Sequence, residues 1–271
     1  MTTITIHRGQ FSLPLKILLA VVAGAVLVTW MYYTPPGLLG KADAIGYAVC
    51  HRISARSFFI GDRPLPLCVR CSGMYLGALL GFLYLFRQGR QGGLPTLKIS
   101  LVLGAFLLAF GFDGVNSYLH LVPNAPTLYE PQNWLRLMTG TALGMGMASM
   151  LYPIFNQSMW ADWNNIPVLH SWRQMLELFV LASLLIAIVW SQNPLILYPL
   201  ALLSAGTVVL MLTLIYSIVW AMLTKQENHF HGLSDMWPIL LAGLITAMLQ
   251  IGLMDIGRFA LTGTWAGFFS S

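Results

Sequence analysis

Long, uninterrupted apolar runs constrain this chain more than any other feature. Residues 13–33 (LPLKILLAVVAGAVLVTWMYY) and 195–223 (LILYPLALLSAGTVVLMLTLIYSIVWAML) are both long enough to cross a bilayer, which takes about 20 mostly apolar residues. Comparable runs at 72–86, 97–112, 134–152, 175–190 and 237–256 bring the expected number of spans to seven. The second is short and is expected to begin nearer Leu67. The runs are continuously apolar, whereas the strands of a membrane β-barrel alternate. Composition agrees: the 271 residues are 57% hydrophobic and 8% charged, against about 25% charged in an ordinary soluble domain. The expected fold is all-α, a polytopic transmembrane helical bundle.

Pro-, Gly- and Asn-rich breaks punctuate the series: TPPG at 34–37, RQGRQGGLP at 87–95, VPNAP at 122–126 and SQNP at 191–194. The polar, basic lead before the first run also suits a secretory signal. No clean small-residue cleavage pattern follows it, so it reads as an uncleaved first span. Orientation follows from the basic residues. Arg8, Lys16, Arg87, Arg90, Lys98, Arg173 and Lys225 fall at the N-terminus and in the loops after the second, fourth and sixth spans. The positive-inside rule therefore puts the N-terminus in the cytoplasm of a multi-pass cell-membrane protein. The formal charge of +5 reflects this bias, and nucleic acid is not an expected partner.

One loop breaks the rule. The segment after the first span faces outward and yet holds Lys41, Arg52, Arg56, Arg63 and Arg70. It also holds all three cysteines of the chain, in CHRISARSFFIGDRPLPLCVRC at 50–71. The same face collects Asp113 and Asn116, Asn133 and Arg136, and Asp255 and Arg258. The first two pairs have i,i+3 spacing and share a helix face. Ionisable groups at a bilayer boundary are costly, and they pair, face the bundle interior or mark a site. A single outward-facing polar cluster is expected.

With these residues assembled, the chain resembles domain of unknown function 2085, an uncharacterised family of predicted prokaryotic membrane proteins. Two blocks carry the likeness. One is Cys50-His51-Arg52, Arg56-Ser57-Phe58, Gly61 and Leu67-Cys68-Val69-Arg70-Cys71-Ser72-Gly73, with Tyr75 and Gly77. The other is Asp113-Gly114 with Asn133, Arg136, Thr139 and Gly140. The likeness covers about 44–147 and implies a membrane location and a shared site, with no established reaction. It divides the chain into an entry span (1–43), a core that bears the site (44–147) and a C-terminal three-helix extension (148–271).

Three chemistries fit the cysteine segment. The first is a metal site with Cys50, His51, Cys68 and Cys71 as candidate ligands. Thiolate and imidazole are the preferred zinc ligands, and a CxxC turn offers two sulfurs to one ion. Zinc is the expected metal and iron the alternative. His51 adjoins Cys50, and adjacent side chains diverge, so His120 and Asp113 compete for the fourth position. The second is thiol–disulfide exchange, with the Cys68 thiolate favoured by a helix N-terminus and Arg70. The third is a structural zinc knot or disulfide in a non-catalytic accessory subunit of a larger membrane complex.

The arginines sharpen the catalytic version. Guanidinium groups bind phosphate and carboxylate bidentately. Arg52, Arg56, Arg63, Arg70 and Arg136, with Asn116 and Asn133, are therefore candidates to hold an anionic small molecule or a lipid-linked phosphate among the membrane lipids. Metal-assisted hydrolysis or transfer would then use metal-activated water, with Asp113 or Asp62 as proton acceptor.

Other signals are weaker. His229 and His231 fall in a polar loop on the cytoplasmic side. The methionines of GMGMASM (144–150) sit among glycines that suit close helix packing. Tryptophans and tyrosines near the span ends fit an interfacial belt. The chain has no Walker-type glycine loop, Rossmann fingerprint, nucleophile elbow or CxxCH haem site.

Overall fold

The computed structural model describes residues 11–266; Arg8, one of the charges used for orientation, lies outside them. The chain is all-α. Its long helices are α1 (Leu13–Tyr33), α3 (Val69–Phe86), α4 (Leu97–Leu119), α5 (Asn133–Met159), α6 (Trp172–Trp190), α7 (Pro194–Leu223) and α8 (Leu233–Thr262). Between α1 and α3 run a 12-residue helix α2 (Leu38–Val49), a 3-10 turn (Ser54–Arg56) and a small hairpin of β1 (Phe59–Ile60) and β2 (Arg63–Pro64). Gly61, at φ +61°, turns the hairpin beside Asp62.

The long helices alternate in direction, so their ends gather into two groups. At one end, β3 (Gln91–Gly93) pairs in parallel with β4 (Asn164–Pro167), and Trp160 bridges to Phe230. At the other, Tyr47 of α2 meets Thr262 at the close of α8, and the Phe58 ring lies edge-on to Trp190 at the close of α6. This second end carries the cysteines.

Six helices, all but α5, are long and apolar enough to cross a membrane. α5, the seventh run expected from the sequence, is long enough at 27 residues but is more polar and is not among these six. Its Arg136, Thr139, Thr141, Ser149 and Asn156 are buried against neighbouring helices. The hydroxyls cost little there, because Thr141 and Ser149 donate to the carbonyls of Leu137 and Met145 one turn back, at 2.8 and 2.7 Å. α2 is a departure from the expected plain loop. It buries Ala42, Asp43, Ala44, Gly46 and Tyr47 against the bundle.

α3 and α5 form the centre. Lipid offers no hydrophobic drive between helices, so association relies on close van der Waals packing through small residues. α3 has Gly73, Gly77 and Gly81 on one stripe, and α5 answers with Gly140, Gly144 and Ala148. A Cβ on Gly73 would stand 2.7 Å from the Leu137 carbonyl oxygen, and one on Gly81 2.7 Å from the Ala148 Cβ. One on Gly140 or Gly144 would strike the backbone of Arg70 or Met74. Around this pair Leu85, Leu103, Met145 and Leu178 build one buried cluster, and Phe58, Leu65, Leu137 and Leu197 another.

Gly144→Ala is therefore expected to lower the thermal unfolding midpoint of the purified protein by the equivalent of about 1–3 kcal/mol, the usual cost of overpacking. Gly104→Ala, on α4 with open space around it, is expected to leave the midpoint unchanged. Equal effects at the two positions would show that the α3–α5 approach does not limit stability.

Candidate functional site

The three cysteines converge. Cys50 follows α2, Cys68 is the N-cap of α3 and Cys71 lies in the first turn of α3. The close seat of Gly46 on the Pro66 carbonyl brings the end of α2 against the start of α3. The three sulfurs lie within 4.8 Å of one another, and all three thiols are free. The Cys68 backbone N–H points at the Cys50 sulfur, N···S 3.4 Å. Beneath the trio lie Leu67, Tyr75, Val208 and Leu212, an apolar floor shared by α3 and α7.

The trio is electrostatically unequal. Hydrogen bonds from the Cys68 and Cys71 thiols, aided by the Cys68 backbone N–H, hold Cys50 well below the ordinary thiol range despite its burial. The same bond to Cys50 pushes Cys68 up to about 12. The Cys68 backbone N–H and the neighbouring sulfurs thus favour the anion at Cys50.

Two carboxylates organise the arginines. Asp43 of α2 accepts from Arg52 at 2.8 Å and is also ion-paired with Arg63. Arg52 further donates to the Trp265 carbonyl at 3.0 Å, and its backbone is left-handed, φ +53°. The second carboxylate, Asp113 of α4, is 1% exposed. It is ion-paired with Arg70 and accepts from the Tyr129 hydroxyl at 2.7 Å. Burial and this bond to Asp113 push Tyr129 up to about 12. Arg70 also donates to the Ser117 hydroxyl at 2.9 Å, and Arg56 to the Ser117 carbonyl at 2.7 Å. Asn116 is consumed by the loop after α4, donating to the Tyr129 carbonyl and accepting from the Leu128 N–H at 2.9 and 2.8 Å. Arg136 donates to Asn133 at 2.7 Å, as the i,i+3 spacing predicts.

The last helix also reaches the site. Arg258 of α8 donates to the carbonyls of Tyr47 and Cys50, both at 2.6 Å, and to that of His51 at 3.3 Å. It thereby caps the end of α2 that presents Cys50. Asp255, one turn earlier, is buried and accepts from Trp30 at 3.2 Å, tying α1 to α8.

Of the residues proposed from sequence, the structure gathers Cys50, Cys68 and Cys71 in one trio. Arg56, Arg70, Asp113, Asn116, Asn133 and Arg136 gather about the joined ends of α3, α4 and α5. Among the described residues, His51 is exposed and does not join the sulfur trio, and His120 and Asp62 are exposed. His229 and His231 are exposed at the opposite end. Sequence reasoning did not single out Asp43, Ser117, Tyr129 or the Trp265 carbonyl. For Asp43 a signal was present: it is the acidic residue closest before the cysteine–arginine segment.

The chain is similar to proteins of two archaea. It is 33% identical over 100 residues to an uncharacterised protein of Methanothermobacter thermautotrophicus, covering 37% of this chain and 81% of that one. It is 30% identical over 113 residues to an uncharacterised protein of Methanocaldococcus jannaschii, covering 41% of this chain and 67% of that one. No solved structure matches it significantly. The model of the predicted membrane protein family DUF2085 matches residues 50–150, the segment that begins at Cys50 and ends within α5. That segment holds the sulfur trio and the Arg70–Asp113 pair, and the chain belongs to this family of predicted membrane proteins.

Proposed function

We propose that this membrane protein holds one zinc ion, or alternatively iron, on Cys50, Cys68 and Cys71. The N-terminus is cytoplasmic in this reading and the site lies on the outer face. The observation that carries it is the approach of three free sulfurs to within 4.8 Å. Thiolates around a tetrahedral ion, with bonds of about 2.3 Å, stand roughly 3.8 Å apart. Small side-chain rotations therefore close the trio on an ion. A backbone N–H aimed at Cys50 and the N-terminus of α3 both favour the anionic sulfurs such a site requires.

The donor set favours a reactive centre over a sealed one. Three protein ligands leave a fourth position open, the pattern of catalytic rather than structural zinc. His51 and His120 are exposed, and both oxygens of Asp113 are engaged by Arg70 and Tyr129. Asp113 is assigned here to positioning Arg70 rather than to accepting a proton. A bound metal would supply Lewis acidity for hydrolysis or group transfer. The chain would supply the apolar floor that excludes water and the arginines that attract an anion.

Purified protein is expected to contain about one zinc or iron per chain by elemental analysis, and Cys50→Ser or Cys71→Ser to lose it. Metal-free protein with two of the cysteines oxidised to a disulfide would replace this reading with thiol–disulfide exchange. Arg258→Gln, which frees the carbonyl of Cys50, is expected to weaken metal retention against a competing chelator by about tenfold, the size usual for residues that orient ligands. Unchanged retention would remove α8 from the site.

A further inference from the structure

We propose that Arg56 and Arg136, beside Arg70, form a binding subsite for a phosphate-class oxyanion next to the cysteine trio. The inference deepens the metal reading and rests on it only for the position of the anion beside the ion.

The charges do not balance without such a ligand. Arg70 is ion-paired with Asp113, but among the described residues neither Arg56 nor Arg136 has a carboxylate partner. Arg136 is 6% exposed and donates only to the neutral Asn133 side chain, and its Nε is buried without a partner. Arg56 is half-buried and donates only to the Ser117 carbonyl. Arg56 and Arg70 meet on Ser117, and Gly140, one turn beyond Arg136, packs on the Arg70 backbone. All three guanidiniums act on one another, and the charges of Arg56 and Arg136 are felt at Cys68. Burial and the like charge of Arg70 both work against the charged form of Arg56.

Three guanidiniums thus share a single carboxylate, an excess of two positive charges. Unpaired charge is expensive to bury. A dication on three thiolates carries one net negative charge, so loading the metal centre still leaves the cluster positive. The N-termini of α3 and α5 end here as well and add positive potential. A tetrahedral oxyanion suits this environment better than a carboxylate. It carries up to two charges, and it has enough oxygens for two guanidinium forks. Arg52 and Arg63 pair with Asp43 and Asn116 bonds the loop backbone, so the subsite is assigned without them. The phosphate can belong to a lipid headgroup or be free in solution, because the chemistry recognised is the same.

The test uses the full chain in nanodiscs of phosphatidylcholine alone, or of phosphatidylcholine doped with phosphatidic acid. The readout is thermal unfolding during titration with inorganic phosphate or across the doping series. Saturable stabilisation by inorganic phosphate identifies a soluble ligand, and stabilisation by phosphatidic acid alone identifies a headgroup; either supports the subsite. Arg56→Gln and Arg136→Gln are each expected to weaken the response roughly tenfold or more, as for loss of a charge-assisted hydrogen bond. Arg63→Gln is expected to leave it unchanged. Should Arg136→Gln fail to fold, Arg136→Lys, which keeps the charge but not the fork, is expected to weaken binding as well. No saturable response, or equal losses in the Arg56 and Arg63 variants, would overturn the proposal. Each series is run on metal-loaded and chelator-stripped protein. A response that follows the metal and ignores the arginine variants also overturns it, whereas absent metal with an intact arginine-dependent response refutes only the metal reading.

Discussion

The backbone approach of α3 to α5 sets the geometry of everything at the cysteine end. Gly140 against the Arg70 carbonyl and Gly73 against the Leu137 carbonyl fix the register of the two helices in their N-terminal halves. That register places Cys68, Arg70 and Cys71 beside Asn133 and Arg136, although about 60 residues separate the blocks in sequence. A side chain at any of these glycines would move α5 away from α3, and with it Arg136 from Arg70. The small residues are thus the means by which two separate polar blocks become one site in an environment without hydrophobic attraction between helices.

The buried carboxylates finish what the glycines begin. Asp113 joins the end of α4 to the start of α3 through Arg70, and its Tyr129 contact folds the following loop back over the pair. Asp43 does the same for the Cys50 segment, drawing Arg52 and Arg63 onto α2. Breaking such a buried pair by removing one partner is strongly destabilising, yet the pair itself adds little net stability. Its contribution is positional: each aspartate decides where a loop lies. The arginines left over, Arg56 and Arg136, are those the fold does not use in this way.

The long helices were readable because bilayer thickness imposes a length on apolar runs, and the seven expected runs match seven long helices, six of them apolar enough to span among the described residues. α5 carried the weakest signal, since its polar side chains face other helices and dilute the run. α2 escaped notice because 12 residues interrupted by Lys41 and Asp43 look like a loop, and only packing against α7 and α8 makes them helical. The cysteine convergence was expected for all three residues: CxxC spacing at a helix start joins Cys68 to Cys71, whereas Cys50 shared only their segment and its return depends on α2. Apart from Arg136 with Asn133, three residues apart on one helix, the partners of the arginines were not readable. Arg52 meets the Trp265 carbonyl across 213 residues, and Arg258 meets that of Cys50 across 208. Local spacing cannot report such contacts.

Those long-range contacts bear on how the site is divided between shared and added structure. All three cysteines, with Arg56, Arg70, Asp113 and Arg136, lie within the segment matched by the family. About a fifth of the Methanothermobacter protein lies outside its match to this chain, too little to hold the 19-, 30- and 30-residue helices α6, α7 and α8. The three cysteines and Arg56, Arg70 and Arg136 thus fall within the matched segment, while Arg258, which caps the end of α2 at Cys50, and Val208 and Leu212 beneath the sulfurs lie outside it. The cap on the end of α2 and the cover over the sulfurs therefore come from outside the segment that the family matches. In this chain α7 and α8 supply both within one polypeptide, so the geometry of the sulfur trio is set by the same helices that anchor it in the membrane.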